Sequence, residues 1–236
     1  MFEQVIGDWP TDQRFILTSC DIKYFDQYFP RFFKTYHEHW SLPIHVHIID
    51  PTQTAKQRLE KLPVTYTYCN TDKSVLKFQY SYETYCQAQR FILLGFKMLQ
   101  DQSVIVADVD SYALRTPNDS QKQTLSSDMA FTEYNTRLMA TFCNFHHSRR
   151  SHAKKAAVRM KDLIINTDTI GVDQLVIKEV FKKFSYNRLP HRQWIRHHDV
   201  KTEIDKAMHN QCLIYHEKGT RGKGKGIKVE WTDIGL

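Results

Sequence analysis

Four consecutive apolar residues, Val104-Ile105-Val106-Ala107, run directly into Asp108-Val109-Asp110. An unbroken apolar run of this kind suits a strand covered on both faces, the situation of strands in mostly parallel sheets flanked by helices. The rest of the pattern agrees. Residues 14–19, 44–49 and 64–68 read as strands rich in β-branched and aromatic side chains, with weaker strand signals at 129–132 and 212–215. Between them lie helical patterns: 21–36, interrupted at Pro30, then 54–62, 81–99, 153–165 and 172–184. The clearest helix carries Tyr85, Ala88, Ile92, Phe96 and Leu99 on one stripe. Strands alternating with helices predict an α/β fold with a mostly parallel central sheet flanked by helices.

Composition narrows the class further. The chain has 236 residues, which suits one large domain. Hydrophobic residues make up 41% and charged residues 25%, values of a globular protein that exclude a disordered one. No apolar run reaches the roughly 18 residues of a membrane span. The opening stretch MFEQVIGDWPTDQRF lacks the basic-then-apolar order of a secretory signal. The five cysteines, Cys20, Cys69, Cys86, Cys143 and Cys212, are scattered without a C-x-x-C pair, which suits free thiols in a reducing compartment and predicts a cytoplasmic protein.

The acids after the buried run carry the chemistry. Ligands of open α/β sheets gather outside the carboxyl ends of the strands. In extended backbone, residues two apart point the same way, so Asp108 and Asp110 present two carboxylates to one place. Two close carboxylates repel unless a cation sits between them. A divalent ion that prefers oxygen ligands, Mn²⁺ or Mg²⁺, answers that need and keeps open positions for phosphate oxygens. A solvated polar strand end is the plainer alternative.

With Tyr82-Glu83-Thr84-Tyr85-Cys86-Gln87-Ala88-Gln89-Arg90-Phe91 leading through the apolar helix to Val104–Asp110, the chain resembles GT-A-fold glycosyltransferases, most closely the glycogenin and galactosyltransferase (family 8-like) group. The resemblance implies a single domain. Residues 1–115 would form a Rossmann-like nucleotide-sugar half ending in the D-x-D pair, 116–215 an acceptor half, and 216–236 a basic Gly-rich tail. It implies a nucleoside-diphosphate sugar donor, favouring UDP, and transfer of a hexose with retention. It assigns Thr18, Ser19, Asp21 and Tyr24 to the base and ribose, although Ser19 or Asp21 also suits a helix N-cap. Arg90 takes the family's arginine position. Within Gly171-Val172-Asp173-Gln174, Asp173 and Gln174 lie beside the donor sugar. Within Tyr215-His216-Glu217-Lys218-Gly219, His216 is the third metal ligand, and Lys218 and Arg221 neutralise the diphosphate. Two departures stand out. Bulky Phe142-Cys143-Asn144-Phe145-His146-His147 replaces a Gly-containing acceptor loop, and the final motif lacks Lys-Pro-Trp. The acceptor (glycan, lipid, protein or small molecule) stays open.

The net charge of +7 permits an anionic partner. Its basic residues concentrate in 146–161 and in 218–228, where glycines alternate with cations to make a loop able to close over phosphate. Peripheral contact with a membrane is compatible with the first run. A nucleic-acid-binding protein explains the charge but not the acid pair after a buried strand. A metal-dependent phosphatase or nucleotidyltransferase explains the acids, but aspartate-nucleophile phosphatases carry theirs on an early strand.

Overall fold

The computed structural model describes residues 4–134, 137–190, 194–197, 212–216 and 228–236. In chain order its elements are β1 (Ile6–Gly7), β2 (Arg14–Asp21), α1 (Ile22–His39), β3 (Ile44–Ile49), α2 (Gln53–Glu60), β4 (Thr65–Cys69), α3 (Ser81–Lys97), β5 (Ser103–Ala107) and β6 (Ser111–Ala113). They continue with α4 (Asp119–Leu125), β7 (Met129–Tyr134), β8 (Arg137–Phe145), α5 (Arg150–Asn166), α6 (Val172–Phe181), β9 (Asn187–Pro190), β10 (Ile195–His197) and β11 (Ile214–His216).

Eight strands form the central sheet in the order β1-β4-β3-β2-β5-β8-β7-β9. Strands β4, β3, β2 and β5 are parallel neighbours, as a mostly parallel sheet requires, and β8 joins β5 antiparallel. Side chains alternate across the sheet as extended backbone requires. Phe15, Leu17, Val104 and Val106 enter one core with Tyr85, Ala88 and Ile92 of α3, Ala156 and Met160 of α5, and Val176 of α6. Ile16, Ile105 and Ala107 enter the other, with Phe25, Phe29 and Phe32 of α1, Leu59 of α2 and Leu125 of α4. The sheet is thus buried on both faces, which is why β5 reads as a solid apolar run. A second sheet, β10-β11-β6, sits over the end of β5.

Three expectations change. Pro30 does not interrupt α1, which runs through it as one helix. Proline removes only the bond to the carbonyl four residues back, here Asp26, an exposed residue, while Phe29, Pro30, Phe32 and Phe33 are all buried. Phe142–Phe145 is no acceptor loop but the end of β8, every residue of it buried, paired residue by residue with β5. Residues 181–184 lie partly beyond α6, which ends at Phe181. Strands β1, β6, β8, β9 and β10 and helix α4 carry no clear pattern and are additions to the sequence reading. Among the described residues, no helix is long and apolar enough to cross a membrane.

Candidate metal centre

Strand β5 ends at Ala107, and the chain then turns rather than continuing extended: the Ser111 N–H donates to the Asp108 carbonyl at 3.0 Å. The acids therefore converge through a turn, not by strand alternation as the spacing suggests. The turn is pinned from both sides. The Asp108 N–H donates to the Thr141 carbonyl at 2.9 Å, and the Ser111 hydroxyl donates to the Asp108 carbonyl at 2.6 Å. Because Ser111 opens β6, and β6 pairs antiparallel with β11, the register sets His216 opposite Ser111. That pairing brings a histidine from 106 residues past Asp110 onto the two acids.

The His216 Nε2 lies 3.0 Å from Asp110 Oδ1 and 3.2 Å from Asp108 Oδ2. One donor atom from each of the three residues falls within 4.8 Å of the others. Two ligands at right angles on an octahedral ion with bonds of about 2.1 Å are about 3 Å apart. The separations seen here are of that size. Two carboxylate oxygens and one imidazole nitrogen fit Mn²⁺ or Mg²⁺, the nitrogen leaning toward Mn²⁺. Burial by itself pushes the His216 imidazole down, but Asp110 and the hydrogen bonds to both carboxylates outweigh it and hold the group at about 9. A cation is thus favoured between the acids, a proton in this arrangement.

Arg90 links this trio to a second one. Its guanidinium is buried, with Nη2 at 2.6 Å from Asp108 Oδ1 and 3.2 Å from Asp173 Oδ2, while Nη1 donates to the Gln87 carbonyl at 2.7 Å. Burial raises the Asp173 carboxyl to about 6, Asp108 adds to the rise, and Arg90 and the Gln174 N–H oppose it. Asp173 and Gln174 occupy the first turn of α6, after Gly171 with a φ of 72°. The Gln174 N–H donates to Asp173 Oδ1 at 2.8 Å, and its side-chain oxygen accepts from the Ala140 N–H at 3.1 Å. The sequence-expected residues Arg90, Asp108, Asp110, Asp173, Gln174 and His216 are therefore contiguous.

The residues expected to meet the donor lie at the carboxyl end of β2 and the start of α1. Thr18 and Ser19, at the carboxyl end of β2, are buried, and neither hydroxyl has a hydrogen-bond partner among the described residues. Asp21 does cap α1, accepting from the Tyr24 N–H at 2.8 Å, and the Tyr24 ring packs on Tyr28 at 5.2 Å. Lys218 and Arg221, with the rest of 217–227, lie outside the described residues.

One residue escaped the sequence reading. Asp50, at the end of β3, takes a φ of 53°, and its carboxylate accepts from the Thr71 N–H and the Tyr82 hydroxyl. Asp21 and Asp50 lie close enough that both raise the Cys86 thiol beyond the rise that burial causes. The signal was present: Ile44–Ile49 runs into Asp50 as Val104–Ala107 runs into Asp108.

No protein-family model and no curated protein matches the sequence. Solved structures do. WbbM, a bifunctional glycosyltransferase, superposes with a TM-score of 0.65 at 13% identity, over 98% of this chain and 50% of that one. The glycosyltransferase GlyE of Streptococcus pneumoniae TIGR4 superposes with a TM-score of 0.61 at 15% identity, over 93% of this chain and 58% of that one. The fold is theirs. The chain spans about half the length of these two proteins. In this glycosyltransferase fold, Asp108, Asp110 and His216 stand at the carboxyl edge of the parallel strands, where such sheets bind ligands.

Proposed function

We propose that the chain is a metal-dependent glycosyltransferase that moves a hexose from a nucleoside-diphosphate sugar to an acceptor. The carrying observation is the convergence of Asp108, Asp110 and His216 on one point, joined through Arg90 to Asp173. In this reading Asp108, Asp110 and His216 hold Mn²⁺ or Mg²⁺. When bound there, such an ion would supply Lewis acidity to the diphosphate and charge for the leaving group. The unpartnered hydroxyls of Thr18 and Ser19 receive the base and ribose, with Asp21 and Tyr24 beside them. Arg90 fixes the orientation of Asp108 and Asp173 together, so that metal and donor sugar keep one geometry. Asp173 faces positive charge that develops at the anomeric carbon, and Gln174 braces it against Ala140. Lys218 and Arg221 supply charge to the departing diphosphate.

UDP as the nucleotide, retention of configuration and membership of the family 8-like group follow from the sequence resemblance. So does the division into a donor half (1–115), an acceptor half (116–215) and a basic tail. Five free cysteines suit a cytoplasmic setting. The nucleic-acid and phosphatase readings leave the Arg90 bridge between Asp108 and Asp173 without a task.

The test is release of UDP from UDP-hexoses by the full chain, with Mn²⁺ and with a chelator. Turnover and ligand-induced thermal stabilisation should both require the ion. Asp110→Asn, which keeps the shape of the side chain, should reduce turnover at least a hundredfold with little change in melting temperature. Undiminished turnover in that variant, or in chelator, would reject the assignment.

A further inference from the structure

The outer face of α5 does not look like an ordinary solvated helix surface. The helix buries Ala153, Ala156, Ala157, Met160, Leu163 and Ile164 against the core, so its inward stripe is complete without Val158. Val158 instead stands 53% exposed on the opposite side. Around it lie Ser151, Lys154, Lys155, Arg159 and Asp162, which line a shallow groove of about 680 Å³. Across the α3–α5 seam, Phe96 and Leu99 are 43% and 44% exposed, and Lys161 lays its ammonium over the Phe96 ring at 4.4 Å. Apolar side chains thus sit among cations rather than apart from them. Helix α5 carries five lysines and arginines against one acid, and has no acid in its first turn. That is the reverse of what the helix dipole favours for stability. Arg159 is held by Asp162 at 2.7 Å and Glu179 at 3.6 Å.

We infer that this face, Lys154, Lys155, Val158 and Lys161 of α5 with Phe96 and Leu99 beside them, docks the protein on an anionic lipid bilayer. Charge complementarity selects an anionic partner, and the interleaved apolar residues select a bilayer. Cations near a surface of acidic headgroups gain by attraction, and Val158, Phe96 and Leu99 gain where an acyl boundary receives them. Nucleic-acid phosphates would offer those three side chains nothing. The direction of α5 adds a consequence. It starts beside the far end of α3, where Arg150 donates to the Met98 carbonyl at 2.7 Å. It finishes near the other end of α3, where Asp168 accepts from the Tyr80 N–H at 3.1 Å and Thr169 accepts from the Thr84 hydroxyl at 3.1 Å. Helix α6 then opens directly into Asp173. A bilayer lying along α5 therefore approaches the Asp173 side of the molecule. The inference needs no assumption about the reaction, so its failure leaves the proposed activity standing.

The experiment is co-sedimentation of the full chain with vesicles of phosphatidylcholine alone and with added phosphatidylglycerol, at low and high salt. Binding is expected to the anionic vesicles only and to weaken with salt. Lys154→Glu/Lys155→Glu should weaken it at least tenfold, and Val158→Ser several-fold, each with an unchanged melting curve. Lys61→Glu/Lys122→Glu, an equal charge change on α4 and beside α2, should leave it unaltered. No binding to anionic vesicles would overturn the inference. So would an equal loss in the Lys61/Lys122 pair, or tighter binding to duplex DNA with Val158→Ser neutral in both assays.

Discussion

Ser111 does two things with one hydroxyl. Its proton is committed to the Asp108 carbonyl at 2.6 Å, so the buried Tyr36 hydroxyl, 3.2 Å away, must donate to it. The order of donors makes the two ends unequal. Ser111→Ala strands the Tyr36 hydroxyl in the core without an acceptor, a loss of about 1–3 kcal/mol, whereas Tyr36→Phe removes one ordinary bond, about 1 kcal/mol. Urea unfolding should place Ser111→Ala as the less stable variant, with a weaker response to Mn²⁺ because the Asp108 turn loosens. The reverse ranking would refute the donor assignment. This relay was invisible in the sequence, since Tyr36 and Ser111 are 75 residues apart and neither has a revealing neighbourhood. The metal ligands were legible for the opposite reason. Asp108 and Asp110 follow an apolar run that could only be a strand, and acids at such a place have a chemical meaning that hydroxyls in a core do not.

At the scale of elements, the two long helices α3 and α5 meet at Gly95. A methyl group there would lie 2.4 Å from the Ala157 Cβ and 2.6 Å from the Ala153 carbonyl oxygen, so the seam closes only because Gly95 and two alanines leave room. Gly95→Ala gains about 1 kcal/mol of helix propensity but must push apart backbone that cannot rotate away, at about 1–3 kcal/mol. The melting temperature should fall, and Gly95→Ala/Ala157→Gly should recover part of the loss. A variant as stable as the parent would show that the helices do not approach this closely. Periodicity exposed α3 and α5 through their inward stripes, although Phe96 and Leu99 of the stripe expected on α3 stand exposed and Leu99 lies beyond the helix, which ends at Lys97. It failed for β8, where Leu138, Ala140, Phe142, Cys143 and Phe145 are buried on alternate and adjacent positions alike. A strand covered on both faces loses the period-two signal, and Asn144 within it stood in the stretch compared with a loop. Pro30 misled in the other direction, because its buried neighbours Phe29, Phe32 and Phe33 hold α1 together where local preference would end it.

Across the whole molecule, the layered fold isolates a line of polar groups inside the β3–β4 side of the sheet. The His45 ring lies between Thr65 and Thr67, at 2.9 and 3.0 Å, and the His47 ring between Thr67 and Cys69, at 2.9 and 3.3 Å; Cys69 in turn meets the Tyr85 hydroxyl at 3.3 Å. A neutral imidazole has one donor and one acceptor nitrogen, and hydroxyls on either side can serve both. Burial pushes both rings down to about 3, with His45 adding to the effect on His47. Their unfolded forms take up protons near pH 6.5, so the native state refuses protons that the unfolded chain accepts. Their contribution to stability is whole above about pH 6.5 and is lost as the pH falls toward about 3. Asp173, raised to about 6, and His216, raised to about 9, work the opposite way. His216 gives its full contribution below about pH 6.5, and Asp173 regains some stability between about 6 and 4. At pH 5 the two core histidines cost about 2 kcal/mol each, while Asp173 and His216 return about 1 each, leaving a net loss on the order of 2 kcal/mol. Urea midpoints measured in chelator at pH 7 and pH 5 should differ accordingly. His47→Gln, which keeps hydrogen-bonding groups without a titrating ring, should lower stability at pH 7 yet remove most of the difference between the two pH values. A difference as large in His47→Gln as in the parent would mean that the acid sensitivity arises elsewhere.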